Sequence, residues 1–421
     1  MVAQPQLDNI LSVVLGGGRG SRLYPLTRMR SKPAVPIAGK YRLIDIPISN
    51  SINSGIYHIA VLTQFNSVSL HRHLTQTYHF DVFHTGWVQV WAAEQTMASA
   101  DWYQGTADAV RKQLSEIRSA GKPYVLILAG DHLYRMDYAA MARFHWDNSA
   151  DITIAVQPVA AGDSGRFGLL KRNENHRITD FAEKPTDPKV LERMTSRDDP
   201  ERPFLGSMGI YMFNTEVLFE LLEGAPHDDF GGQVIPNAIG DRAVFGFDFD
   251  DFWEDIGTIR SFYDTNLALA MPTPNFSFYD PERPIYSNPT VLPSSTLINC
   301  HLENVLLTDG CRLQNAEIRN TVVGLRSYLG NNVRISDSIL MGSDYFQTGS
   351  RTFDNPPIGI GDNSTIQGAI IDKNVRIGEN VTIHSFPRSV DMDAEDWVVR
   401  DGIVVVAKNS FIPAGTYIGP M

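Results

Sequence analysis

The sequence predicts an α/β fold built on a mostly parallel sheet, joined through a proline-rich stretch to a parallel β-helix. Three observations predict it. The apolar run Ile10-Leu-Ser-Val-Val-Leu15 breaks directly into Gly16-Gly-Gly-Arg-Gly-Ser-Arg-Leu23. Apolar strand patterns then alternate with helical ones across the first half, which is the signature of a parallel sheet covered by helices. Beyond residue 290, apolar residues recur every six positions, the signature of a β-helix.

The first run reads as a buried strand. The glycines after it leave the backbone bare, so its N–H groups can approach an anion. Arg19 and Arg22 add positive charge, and Arg30 and Lys32 follow closely. Further strands are predicted at 56–63, 124–128, 151–157 and 208–213, with helices at 67–77, 107–118, 138–148 and 216–222. In such sheets ligands bind beyond the carboxyl ends of the strands. Both Gly16 and the Gly130-Asp131 pair sit at such ends. Six prolines between Pro272 and Pro293 interrupt helix and sheet interior alike, so this stretch reads as a surface linker. The repeats beyond it include Val323, Leu329, Ile335 and Met341, then Ile371, Ile377 and Ile383, with Val375 and Val381 beside them. Residues 345–357 break the period and read as an inserted loop. The organisation is therefore 1–270, a linker at 271–290, and 291–421.

With 421 residues, 43% of them hydrophobic, the chain can build large cores. Its net charge of −12 argues against a nucleic-acid partner, and a local basic cluster in so acidic a chain suggests a polyanionic small molecule. Residues 1–9 do not form a secretory signal, and no apolar run reaches the roughly 18 residues that span a membrane. Only Cys300 and Cys311 are present, which implies no disulfide framework. A cytoplasmic protein without a membrane partner is expected.

Four further clusters carry chemistry. In Trp102-Tyr-Gln-Gly-Thr-Ala-Asp-Ala109, Gly105 permits close approach, and the following helix N-terminus offers N–H groups to an anion or a base edge. In Leu126-Ile-Leu-Ala-Gly-Asp-His132, Asp131 ends a buried strand, where a carboxylate is costly unless paired or bound to metal. Glu183 and Lys184, stopped by Pro185, offer a sugar hydroxyl and a phosphate one partner each. Trp253-Glu-Asp-Ile-Gly-Thr258 supplies a second isolated carboxylate, Asp255. Two hard carboxylates can hold Mg²⁺, and the cations can neutralise a triphosphate. No activated Ser, Cys or His nucleophile is evident.

These motifs, with Lys32-Pro-Ala-Val35, Arg42-Leu-Ile-Asp-Ile46, Ser49-Asn-Ser-Ile-Asn-Ser-Gly55 and Ser207-Met-Gly-Ile-Tyr211, resemble the glucose-1-phosphate adenylyltransferases over nearly the whole chain. The resemblance implies a Rossmann-like nucleotidyltransferase domain followed by a left-handed β-helix, a homotetramer, and Mg²⁺-dependent transfer of the adenylyl group of ATP to α-glucose 1-phosphate. It implies that Arg19, Lys32, Asp131 and Asp255 are catalytic, the two aspartates as metal ligands. Tyr103, Gly168, Glu183, Lys184 and Ser207 fall at glucose 1-phosphate positions. Leu15, Gly16, Gly17, Gln64 and Gly105 fall at ATP positions. The family is controlled by phosphorylated metabolites. Lys40 matches the activator lysine of many bacterial members, while Lys373 and Lys408 match 3-phosphoglycerate lysines of cyanobacterial and plant members. An anion site of Lys40, Arg42, Lys373 and Lys408 between the domains is therefore expected. Ser31 replaces the usual Ala, and Asp229-Phe-Gly-Gly-Gln233 lacks the Lys-Asp pair common in bacterial members. Three other readings stay open at this point: a pyrophosphorylase using UTP or dTTP, a non-catalytic regulatory subunit, and a hexapeptide acyltransferase with His301 or His384 as its base.

Overall fold

A computed structural model describes residues 6–18, 20–81, 85–93, 103–346 and 356–420. The expected first strand forms at Ile10–Leu15 and is the centre of a nine-stranded sheet. It pairs in parallel with His58–Thr63 on one side and Tyr124–Ala129 on the other, and Trp87–Ala92 extends the parallel part. The chain moves outward through His58–Thr63 and Trp87–Ala92, then returns to the other side of Ile10–Leu15. That reversal opens a crevice at the strand ends. Leu15 and Ala129 are register partners there, so Gly16 and Gly130-Asp131 emerge side by side.

The long strand Phe204–Asn214 runs antiparallel to Tyr124–Ala129 and bridges to Ile152–Val159 and Gly168–Arg172. It starts earlier than the apolar pattern suggested because the register shifts between Ser207 and Tyr211, with Gly209 at φ 68°. Such a bulge turns a side chain out of the regular alternation. The helix expected at 107–118 is two helices, Thr106–Arg111 and Leu114–Ala120. The break falls at Gln113, whose side chain is drawn inward to the carbonyl of Ala92 (3.2 Å) and the hydroxyl of Tyr103 (2.9 Å).

No helix or strand forms between Leu269 and Thr296. Short parallel strands then stack in coils, with Leu313, Leu329, Ile360, Ile377 and Ile412 in one column. Every member of the period-six series is buried, from Val323 at 0% to Ile371 at 5% exposure. The corners depend on asparagine, which tolerates the left-handed conformation. Asn299, Asn304, Asn315, Asn320, Asn374 and Asn409 all have φ between 45° and 65°. Their amides form ladders, as in Asn299 to Asn315 and Asn315 to Asn331, both 2.9 Å. Of the expected insertion at 345–357, residues 347–355 lie outside the described residues.

The two parts share one core. Helix Ile259–Leu269 starts at a capping box in which Thr258 and Ser261 bond reciprocally. Its buried face, Ile259, Phe262, Tyr263 and Leu269, joins a cluster that includes Val322, Ile339, Ile370 and Val405 of the β-helix. Polar contacts flank it. Arg260 Nε donates to Asp401 at 2.7 Å, and Arg30 Nη2 to Asp372 at 2.8 Å. No helix is long and apolar enough to cross a membrane among the described residues.

Candidate active site

Lys32 opens a short 3₁₀ turn, Lys32–Ala34, just past the glycine loop. Its ammonium lies 2.5 Å from Asp131 and 3.5 Å from Asp255. The two carboxylates meet because the strand His132–Tyr134 pairs antiparallel with Trp253–Asp255, with His132 opposite Asp255. Burial pushes the Lys32 ammonium down, but Asp131 and Asp255 outweigh it and hold the group above its ordinary value. Burial pushes the Asp131 carboxyl up, and Lys32 and His132 pull it below the usual carboxylate range.

His132, which sequence reasoning did not assign to the site, completes this centre. Ligand atoms of Asp131, His132 and Asp255 lie within 4.8 Å of one another. The indole N–H of Trp253 donates to His132 Nδ1 at 3.3 Å, so the neutral ring carries its proton on Nε2. That Nε2–H faces Asp131 at 3.5 Å and Asp255 at 3.9 Å. The ring thus stands beside both carboxylates, beyond normal hydrogen-bond distance. Asp131 and Asp255 offer oxygen ligands, which fit Mg²⁺.

On the glycine side, the N–H of Gly16 donates to Leu62 O at 2.8 Å, so that donor belongs to the fold and not to a ligand. A Cβ on Gly17 would sit in ordinary contact with Gln64 and Tyr103, 3.5 Å from each, so Gly17 packs against both. Gln64 Oε1 accepts from the Tyr103 N–H at 3.0 Å. Leu15, Gly16, Gly17, Gln64 and Tyr103 therefore line one end of the crevice, and Tyr103 sits on the glycine-loop side. Gly105 has a different reason: a Cβ there would stand 2.2 Å from Asp228 O. The same carbonyl takes the N–H groups of Ala107 (2.8 Å) and Asp108 (3.2 Å). The expected open helix N-terminus is thus already filled from within. Gln233 also has a structural task, accepting from the N–H groups of Asp228 (2.7 Å) and Asp229 (3.2 Å). Arg19 lies outside the described residues.

Glu183 and Lys184 pair with each other at 2.8 Å, and Lys184 is 58% exposed with φ 43°. Gly168 is the register partner of Glu183, and a Cβ there would meet Phe181 at 2.4 Å and the Glu183 carboxylate at 2.8 Å. Ser207 sits on the bulge and donates toward the Tyr211 hydroxyl at 3.4 Å. A cavity of about 670 Å³ connects Lys184 to Asp255 past Arg22, Arg166, Glu254 and Thr258. Arg22 belongs to the basic cluster expected from the sequence, whereas Arg166 is a cation that sequence reasoning did not single out. Arg22 lies near Gly257 and Asp255, where a Cβ on Gly257 would touch both.

At the seam of the two parts, the hairpin of Pro36–Ile37 and Tyr41–Arg42 lies against the β-helix. Gly39 has φ 72°, and a Cβ would meet Thr308 at 2.9 Å and Gly324 at 3.2 Å. Lys40 is exposed at the tip of this hairpin. Arg42, Lys373 and Lys408 gather below it, the lysines both on Asp344.

The nucleotidyl transferase family model matches residues 11–271, and the chain belongs to that family. The model of the GLGC left-handed parallel beta-helix domain matches residues 290–417. The two in this order are the signature architecture of glucose-1-phosphate adenylyltransferase, and the handedness expected from resemblance is that of the matched domain.

Proposed function

We propose that this chain transfers the adenylyl group of ATP to α-D-glucose 1-phosphate, giving ADP-glucose and pyrophosphate. The carrying observation is the convergence of Asp131, Asp255 and Lys32 at the crevice, joined by one cavity to Lys184. A phosphate oxygen of the sugar phosphate attacks the α-phosphorus. The bond from that phosphorus to the oxygen bridging to the β-phosphate breaks, and pyrophosphate leaves with the electron pair. The chain contributes positioning and charge neutralisation. Gly17, Gln64 and Tyr103 hold the nucleoside, with Gly105 shaping the loop beside them. Lys32 and Arg19 neutralise the β- and γ-phosphates, so the leaving group departs as a paired anion. Lys184 holds the phosphate of the sugar, and Glu183 and Ser207 its hydroxyls. Asp131 and Asp255 would hold Mg²⁺, which would supply Lewis-acid stabilisation of the phosphoryl oxygens.

The same reading makes residues 1–270 catalytic, 271–290 a linker, and 291–421 the assembly and regulatory part of a cytoplasmic homotetramer feeding glycogen or starch synthesis. Its regulator is a phosphorylated metabolite bound at the seam by Arg42, Lys373 and Lys408, with Lys40 closing over it. Steady-state rates with ATP, UTP and dTTP, each with and without fructose 1,6-bisphosphate or 3-phosphoglycerate, test both statements. ATP is the expected substrate, and a phosphorylated effector is expected to raise its rate. A preference for UTP or dTTP refutes the substrate, and indifference to every phosphorylated effector refutes the regulation.

A further inference from the structure

We propose that Asp344 is a resident ligand of the cationic seam site and sets its charge selectivity. In this view the site admits small anions carrying two or more negative charges and turns away monoanions. The proposal deepens the regulatory reading above and, for its biological use, rests on it.

The β-helix builds the site by repetition. Register pairing of Ile371 with Val406 places Lys373 and Lys408 at the same corner of neighbouring coils. Each lysine precedes an asparagine in the left-handed conformation, Asn374 at φ 62° and Asn409 at φ 65°. Asn374 fixes the third participant. Its Oδ1 accepts the N–H of Asp344 at 2.8 Å, and its Nδ2 donates to Asp344 Oδ2 and to Asn409 Oδ1, both at 3.1 Å. The Asp344 carboxylate is then gripped from two sides, by Lys373 at 2.9 Å on Oδ1 and Lys408 at 2.6 Å on Oδ2. The three side chains are 34%, 14% and 21% exposed, so the cluster is reachable from solvent.

Asp344 does not balance the charge around it. Arg30 is matched by Asp372. Arg42 is anchored by Ser69 and feels both Arg30 and Asp344. The other carboxylate near Arg42, Asp45, is committed to His73, Tyr78, Ser287 and the N–H of Arg42. Among the described residues, Arg42, Lys373 and Lys408 are thus three cations against two carboxylates, Asp344 and, through Arg42 alone, Asp45. Burial, with Arg42 and Arg30 nearby, pushes the Lys373 ammonium below its ordinary value despite Asp344. Burial also pushes the Asp344 carboxyl up, yet Lys373 and Lys408 hold it well below the usual range.

An incoming monocarboxylate would exchange one carboxylate for another. It would gain no charge and would lose its own translational freedom, which the tethered Asp344 has already lost. A phosphate monoester dianion brings a second charge and three acceptor oxygens, enough to engage both lysines and Arg42 together. Displacement of Asp344 is therefore favourable only for ligands of higher charge.

Isothermal titration of the full chain with inorganic phosphate and with acetate tests this at matched ionic strength. The unaltered chain is expected to bind phosphate and not acetate. Asp344→Asn keeps the size and the bond from Asn374 but removes the competing charge. It is expected to tighten phosphate on the order of 10–100-fold and to bring acetate into the measurable range. Adding Lys373→Gln to that variant is expected to abolish the gain. Unchanged phosphate affinity in a folded Asp344→Asn chain overturns the proposal, and so does acetate binding to the unaltered chain as well as phosphate, which needs no variant. Tighter phosphate with no effect on rate supports the filter and refutes the regulatory reading. A rate effect without tighter binding does the reverse.

Discussion

Replacing Arg30 by methionine isolates the energetics of the seam. The Arg30 and Asp372 side chains are 3% and 1% exposed, and their contact is 2.8 Å. Asp372 Oδ1 also accepts the Lys373 N–H at 2.6 Å, while Oδ2 has no hydrogen-bond partner among the described residues. Methionine fills the aliphatic volume beside Met341 but leaves the carboxylate buried with one backbone donor. Removing one partner of a buried ion pair costs about 3–5 kcal/mol, most of it the uncompensated charge. The double variant Arg30→Met with Asp372→Asn removes that charge and keeps an acceptor for the Lys373 N–H. It is expected to recover all but about 1.5–3 kcal/mol, the scale of a lost hydrogen bond to a charged group. Urea unfolding followed by tryptophan fluorescence measures both chains, and the Asp372→Asn single variant closes the cycle that yields the coupling between the sites. If Arg30→Met costs under about 1 kcal/mol, or the double variant is no more stable than the single, the reasoning from burial is wrong.

Asp131→Asn is expected to lower kcat by about 10³-fold or more with the fold intact by circular dichroism, since metal-centred charge stabilisation is worth several kcal/mol; near-normal turnover rejects the metal assignment. Lys184→Ala is expected to raise KM for glucose 1-phosphate about 10–100-fold while KM for ATP stays within about twofold, and equal effects on both exclude its assigned role. His145 gives a pH signature in stability. Burial pushes it down to about 4, with bonds to Asn214 and Thr153. The unfolded chain takes up this proton first as pH falls, so the stability is fully present above about 6.5 and is lost toward 4, by roughly 3 kcal/mol in all. Urea midpoints between pH 7.5 and 4 check this, and a His145→Gln chain with the same slope would reject it.

Local pattern carried far into this fold, and distance in sequence marks where it stopped. The strand at 10–15 could be read to the residue because a continuous apolar run met three glycines. The β-helix core was legible from its period because every coil repeats the same burial. The break at Gln113 was not, since it depends on the carbonyl of Ala92 and the hydroxyl of Tyr103. Asp131, Asp255 and Lys184 were recognisable as chemistry because charged residues interrupted apolar runs, and Lys32 because it closed a basic cluster after the glycine loop. His132 stood beside them, but its tautomer is set by Trp253 from another strand. Asp344 carried no local signal at all. Its two lysines lie on later coils, and only the stacking of those coils brings three charges to one corner.

The helix that begins at Thr258 also decides how this protein can be taken apart. Its apolar face is roofed by β-helix side chains, and Arg260 is fastened to Asp401. A chimera joining this catalytic half to the β-helix of a relative would inherit a mismatched seam unless the facing residues travelled with it. The unit that can be exchanged is therefore the helix together with the coils it lies on, and the border visible in the sequence is not the border at which the molecule can be cut.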